Sequence, residues 1–139
     1  MPLQSHLLFC SSQPEEHTAL RRILAQSPWK VETVSTARQC LRRLRGYPSI
    51  SAVICGRDLP DGDWRSILRQ LDALPERPIF MVSARLADDH LWSEALNLGA
   101  FDVLRSTPFE TEAVMRATEN AWLAWNRTYS RWAAHAAAG

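Results

Sequence analysis

The stretch AVICGRDLPDGDW, from Ala52 to Trp64, joins two kinds of sequence. It opens on an unbroken apolar run containing the β-branched Val53 and Ile54. It continues into a turn-rich loop with Pro60, the pair Asp61-Gly62, and Asp63 placed to cap a helix. A continuous rather than alternating run marks a parallel strand covered by helices on both faces. Working outward, strand-like runs recur at His6–Cys10, Trp29–Val34, Ser51–Cys55, Pro78–Val82 and Phe101–Leu104, each followed by a segment of helical periodicity. Five strands alternating with five helices predict an α/β fold, a doubly wound five-stranded parallel sheet.

The helices carry their own boundary signals. Ser11 or Ser12 is a candidate cap for the first, with Pro14 in its first turn and Glu15 and Glu16 at the positive end of its dipole. Ser35 or Thr36 opens the second, and Gly46 and Pro48 close it. The third runs from about Asp63 to Ala73, and the fourth from Ala87 to Leu98, ending at Gly99. The fifth starts near Phe109 and extends to Trp132, beyond the length needed to cover a sheet. Its Trp122, Trp125, Tyr129 and Trp132 fall near one face and form a candidate partner surface. The expected organisation is one domain over residues 1–132 and an alanine-rich tail over 133–139.

Composition narrows the function classes. The 139 residues are 46% hydrophobic and 22% charged with a net charge of +1, so no general attraction to nucleic acid follows. Positive charge is almost all arginine, with Lys30 the single lysine. Cys10, Cys40 and Cys55 are odd in number and lack C-x-x-C spacing, which predicts reduced core thiols rather than a disulfide framework or a zinc site. His6, His17, His90 and His135 show no mutual spacing suited to a metal. Without a long apolar run or a signal-peptide pattern, a cytoplasmic location with no membrane contact is expected.

Three landmarks in this order resemble the receiver domain of two-component response regulators over nearly the whole chain. AVICGRDLPDGDW is similar to that family's D-x-x-[LM]-P-x-x-[DG]-G segment. MVSA resembles its strand-end Ser/Thr-Ala, and LGAFDVLRSTPF its G-A-x-x-[YFV]-[LV]-x-K-P-F. The resemblance implies an acidic pair after the first strand that helps hold Mg²⁺, an acceptor Asp at the end of the third, a Ser/Thr after the fourth that contacts the phosphoryl group, and a Lys before the fifth helix.

This chain departs from that pattern at all but one position. Ser11 and Ser12 fall on the acidic pair, Gly56 on the acceptor, and Thr107 on the lysine, with Arg105 the other candidate for positive charge there. Only Ser83 matches. Serine cannot supply anionic ligands for a hard cation, and glycine has no nucleophile. The residues therefore predict a degenerate phosphorylation pocket with no catalytic residue, metal or cofactor. The expected function is that of an atypical receiver that binds a protein partner, such as a component of a histidine kinase pathway, with a second copy of itself as the other candidate.

Two other classes compete. A phosphorelay receiver with a displaced acceptor would use Asp58 or Asp61, although turn and cap chemistry accounts for both. A nucleotide or flavin enzyme is disfavoured because SSQPEE, not a glycine-rich phosphate loop, follows the first strand. Direct DNA binding lacks a recognition module after Pro108.

Overall fold

The computed structural model describes residues 5–46 and 48–138, with side chains described as far as Tyr129. The elements in chain order are β1 (Ser5–Cys10), α1 (Pro14–Leu24), β2 (Trp29–Val34), α2 (Ala37–Leu44), β3 (Ala52–Gly56), β4 (Asp58–Leu59), β5 (Gly62–Asp63), α3 (Trp64–Gln70), β6 (Ile79–Ala84), α4 (Asp89–Asn97), β7 (Asp102–Arg105) and α5 (Thr111–Ala138). One sheet takes the order β2-β1-β3-β6-β7, and its pairings are all parallel. This is the expected doubly wound five-stranded sheet with five helices.

Alternate residues of the central strands point to opposite faces, and each face has its own core. Leu8, Cys10, Val53, Cys55, Phe80 and Val82 pack under α2, α3 and α4, where Cys40, Trp64, Ile67 and Leu91 meet them. Leu7, Phe9, Ala52, Ile54 and Met81 pack under α1 and α5, against Leu20, Leu24, Val114, Ala117 and Ala121. Both sides of β3 are therefore dry, which is why AVIC does not alternate. Each large apolar side chain so buried stabilises the fold by about 1.5–3 kcal/mol. The three cysteines are free thiols buried in the first of these cores. Neighbouring Cys10 and burial push the thiols of Cys40 and Cys55 up from their ordinary range.

Several local boundaries differ from those expected. Neither Ser11 nor Ser12 is the cap of α1. Gln13 occupies that position without a side-chain cap bond. Ser11 Oγ instead accepts the Gln13 backbone N–H at 3.1 Å and donates to Glu16 Oε1 at 2.6 Å, a local serine turn ahead of the helix. β3 extends to Gly56 and β6 to Ala84 because the ladder continues through the Gly56–Ser83 pair. The loop after β3 contains a miniature antiparallel hairpin, β4 with β5, rather than plain turn.

Other signals land where the sequence placed them. Thr36 caps α2 and Asp63 caps α3. Gly99 follows α4 with φ 103°, a conformation that disfavours any side chain. The alanine-rich segment expected as a tail continues α5 as helix to Ala138, in keeping with the high helix propensity of alanine.

Candidate functional site

In an open parallel sheet, the strand order reverses between neighbours whose crossovers run to opposite sides, and the crevice lies at the carboxyl ends there. Here β1 sits between β2 and β3, and its end opens a cleft of about 260 Å³. The floor is Gly56 and Ser83, paired in the ladder, with Ser11 beside them. Ser12, Gln13 and Glu16 from the start of α1 form one wall. Arg57, Asp58, Ala84, Arg85 and Ser106 form the rest.

The floor is small and buried. A Cβ placed on Gly56 would lie 3.3 Å from the Cys10 carbonyl oxygen and 3.9 Å from Ser83 Oγ, so a side chain at position 56 would project across the floor. Ser83 is 1% exposed, and its Oγ has no hydrogen-bond partner among the described residues. Ser11 is also buried, but its hydroxyl is committed to Glu16 and to the Gln13 N–H. The backbone N–H of Arg57 donates to the Ser83 carbonyl at 2.8 Å, which fixes the first residue beyond β3 against β6.

The structure brings Ser11, Ser12, Gly56, Ser83 and Asp58 together at this cleft. Thr107 stands outside it, exposed in an adjoining groove, with its hydroxyl 3.5 Å from Glu16 Oε2. Arg105 ends β7 as the ladder partner of Ala84 and is likewise exposed.

Asp61 is engaged elsewhere. Its carboxylate accepts backbone N–H groups of α2, which hold it below the usual aspartate range. Asp63 caps α3 and pairs with Arg65 at 3.0 Å, while Arg65 also forms a two-pronged ion pair with Glu94. Asp58 is the one loop carboxylate left at the cleft, and it is exposed.

The donors do not fit a Mg²⁺ ion. Such an ion takes carboxylate and carbonyl oxygens in near-octahedral array. The cleft offers serine hydroxyls, two guanidinium groups and the separate carboxylates of Glu16 and Asp58. Among the described residues, no group of three or more His, Cys, Asp or Glu is arranged to hold a metal.

Ser106, Arg57 and Arg85 are cleft residues that the motif comparison does not single out. The signal for the arginines lies in plain sequence, because each directly follows a strand end, in Gly56-Arg57 and Ala84-Arg85.

The aromatic face of α5 turns toward its own domain. Trp122 Nε1–H donates to Ser5 Oγ at 2.9 Å, and the Tyr129 hydroxyl donates to the Arg77 carbonyl at 3.1 Å. Trp125 stacks at a tilt on Tyr129, 4.9 Å between ring centroids, and all three are half-buried. The Trp132 side chain lies outside the described residues. No helix is long and apolar enough to cross a membrane among the described residues.

No protein-family model and no curated protein matches the sequence. Solved structures do match in shape. The signal receiver domain of a putative LuxO repressor protein from Vibrio parahaemolyticus is similar with a TM-score of 0.82 at 15% identity, over 91% of this chain and 95% of that one. The signal receiver domain of an HD-domain-containing protein from Pseudomonas fluorescens gives 0.83 at 20% identity, covering 94% and 96%. A CheY-like response regulator receiver domain protein from Methanospirillum hungatei gives 0.79 at 15%, covering 91% and 99%. With five parallel strands in this order and helices on both faces, the chain has the fold of the response-regulator receiver domains.

Proposed function

We propose that this chain is an atypical receiver that takes up no phosphoryl group and acts in signal transduction by binding a protein partner. The observation that carries the reading is the floor of the cleft. Gly56 stands at the end of β3 where a phosphoryl acceptor would be needed, and Ser11 and Ser12 stand beside it in place of anionic metal ligands. The competing acceptor Asp61 is disfavoured by its two backbone bonds at α2, and Asp58 by its exposed place on the wall.

The partner-facing surface in this reading is the end of α4 and the connection to β7, where Leu96, Leu98 and Phe101 are 48%, 51% and 40% exposed within six residues. Clustered exposed apolar side chains of this kind favour a protein partner, and a second copy of the chain is the simplest candidate. The aromatic face of α5 is the less favoured surface, since Trp122 and Tyr129 bond to the same chain.

The test is incubation with acetyl phosphate and Mg²⁺ followed by intact-mass measurement. The expected result is an unchanged mass. A stoichiometric, hydroxylamine-labile adduct mapping to Asp58 or Asp61 would overturn the proposal in favour of a displaced acceptor.

A further inference from the structure

We propose that the outward face of α2, with the groove it forms against α3, is a docking surface for an acidic helix of a protein partner. The inference goes beyond the reading above, because it holds whether or not the chain takes up a phosphoryl group. The surface is also a separate one. α2 packs on β1 and α4 on β7, so the central strand β3 lies between this face and the patch of Leu96, Leu98 and Phe101.

Charge is nearly balanced over the whole chain but not locally. α1, α4 and α5 each contain carboxylates, whereas α2, ARQCLRRL, and α3, WRSILRQ, contain none. Arg38, Arg42 and Arg45 follow one another at intervals of four and three residues, which aligns them as one stripe along the exposed side of α2. Arg69 on α3 is exposed as well. None of these four forms an ion pair among the described residues. Arg45 Nη2–H donates to Gln70 Oε1 at 3.0 Å and so joins the ends of the two helices. Arg43 turns inward instead, where Glu32 accepts its Nε–H at 2.7 Å.

Helix stability does not account for the stripe. Cations near a carboxyl end favour the macrodipole, which covers Arg42 and Arg45, but Arg38 stands in the first turn, at the positive end. Like charges one turn apart also repel. Asp61 lines the same groove, yet its oxygens are committed to the backbone N–H groups of Ala37 and Arg38. The guanidinium groups of the stripe are thus left facing outward.

The groove, of about 690 Å³, places the half-buried Leu41 between Arg38 and Arg45, with Ser66 of α3 on the far wall. Charge, apolar side chain and charge follow along about 10 Å of helix at 1.5 Å per residue. A facing helix with Asp or Glu every three to four residues, and one aliphatic side chain among them, repeats that order. Guanidinium groups bind carboxylates in two-pronged fashion, and helices that lie in grooves anchor at this spacing. A nucleic acid backbone is the poorer fit, since it would set phosphate against Leu41 and the net charge of +1 supplies little long-range attraction.

The full-length chain is titrated with a side-chain-stapled helical peptide carrying Glu at positions i, i+4 and i+7 and Leu at i+3, and separately with the same peptide bearing Gln in place of Glu. Backbone amide shifts are followed by NMR. Saturable shifts at Arg38, Leu41, Arg42, Arg45 and Arg69 are expected with the first peptide and none with the second, and the affinity should fall as salt is raised. The triple variant Arg38→Gln, Arg42→Gln, Arg45→Gln should bind about tenfold more weakly or worse, while melting close to wild type because the three positions are exposed. Arg42→Glu should lose binding, and a peptide with its central Glu exchanged for Arg should restore it. Absence of saturable shifts with the Glu peptide overturns the proposal, as does an affinity unchanged in the triple variant. Tighter binding of a short DNA duplex, an RNA hairpin or phosphatidylglycerol vesicles through the same residues overturns it as well, by replacing the protein occupant.

Discussion

The carboxylate of Asp61 closes over the amino end of α2, accepting the backbone N–H of Ala37 at 2.7 Å and that of Arg38 at 3.0 Å. These are donors that a helix cannot satisfy from within. The contact ties the loop after β3 to a helix that precedes it in the chain. Its strength depends on charge, and the two bonds hold the Asp61 carboxyl below the ordinary aspartate range.

A folded-state pKa lowered in this way stabilises the fold fully above the unfolded value, and the contribution disappears as pH falls through the folded value. Asp61→Ala should therefore lower the Tm at neutral pH, with the difference from wild type shrinking as the buffer is taken into the acid range. Melts followed by circular dichroism across that range check the sign. A difference that stays constant with pH would remove the charged cap as its cause.

Gly56→Asp should not convert the chain into a phosphoacceptor. The substitution restores a carboxylate at the floor, but the neighbouring Ser11 and Ser12 still lack anionic ligand atoms and Thr107 still stands outside the cleft. Intact mass after acetyl phosphate and Mg²⁺ is expected to remain that of the unmodified variant. A labile adduct on the new Asp would show that the remaining groups suffice.

Ile54 is fully buried under α1 and α5, whereas Leu123 on α5 is 46% exposed. Ile54→Asp places an unpaired carboxylate in a dry core, at a cost of about several kcal/mol. Leu123→Asp should change stability by less than about 0.5 kcal/mol. The first variant is expected to be insoluble or unfolded and the second to melt cooperatively near wild type. Similar melts for both would contradict the covered sheet.

The half-buried aromatics of α5 should contribute to stability more than to assembly. Tyr129→Phe removes one hydrogen bond to the Arg77 carbonyl and should cost about 1 kcal/mol. Trp122→Ala removes both an indole packed against the α1–α5 core and the bond to Ser5, and should cost about 2 kcal/mol or more. Analytical ultracentrifugation should give the same solution mass for Trp122→Ala and wild type. A mass that halves with the substitution would return this face to the role of an interface.

The fold was legible because its signals are local and redundant. LLFC, AVIC and IFMV are each long enough to fill a strand, and Thr36, Asp63 and Gly99 mark helix ends through short-range chemistry. The site was legible only in part. Spacing from Pro60 brought Gly56 to the floor and MVSA brought Ser83 beside it, because both belong to strands whose register the ladder enforces. The destination of Asp61 was not readable, since its partners at positions 37 and 38 are distant in sequence. The same holds for Trp122, whose apolar periodicity fits a partner surface as well as it fits contact with Ser5. Arg57 and Arg85 each read as an ordinary exposed residue in the sequence, because only the pairing of β3 with β6 sets the two strand ends side by side.

The bond from Trp122 to Ser5 joins positions 117 residues apart. Along with it, Val114, Ala117 and Ala121 cover the face of the sheet that presents Leu7, Phe9, Ile54 and Met81. A ribosome delivers β1 well before α5, so the part of that face beneath α5 stays open to water until α5 has emerged. The emerging chain therefore passes through an interval in which all five strands can be paired while the part of that face beneath α5 is bare, a state that favours association with other nascent chains or capture by a chaperone.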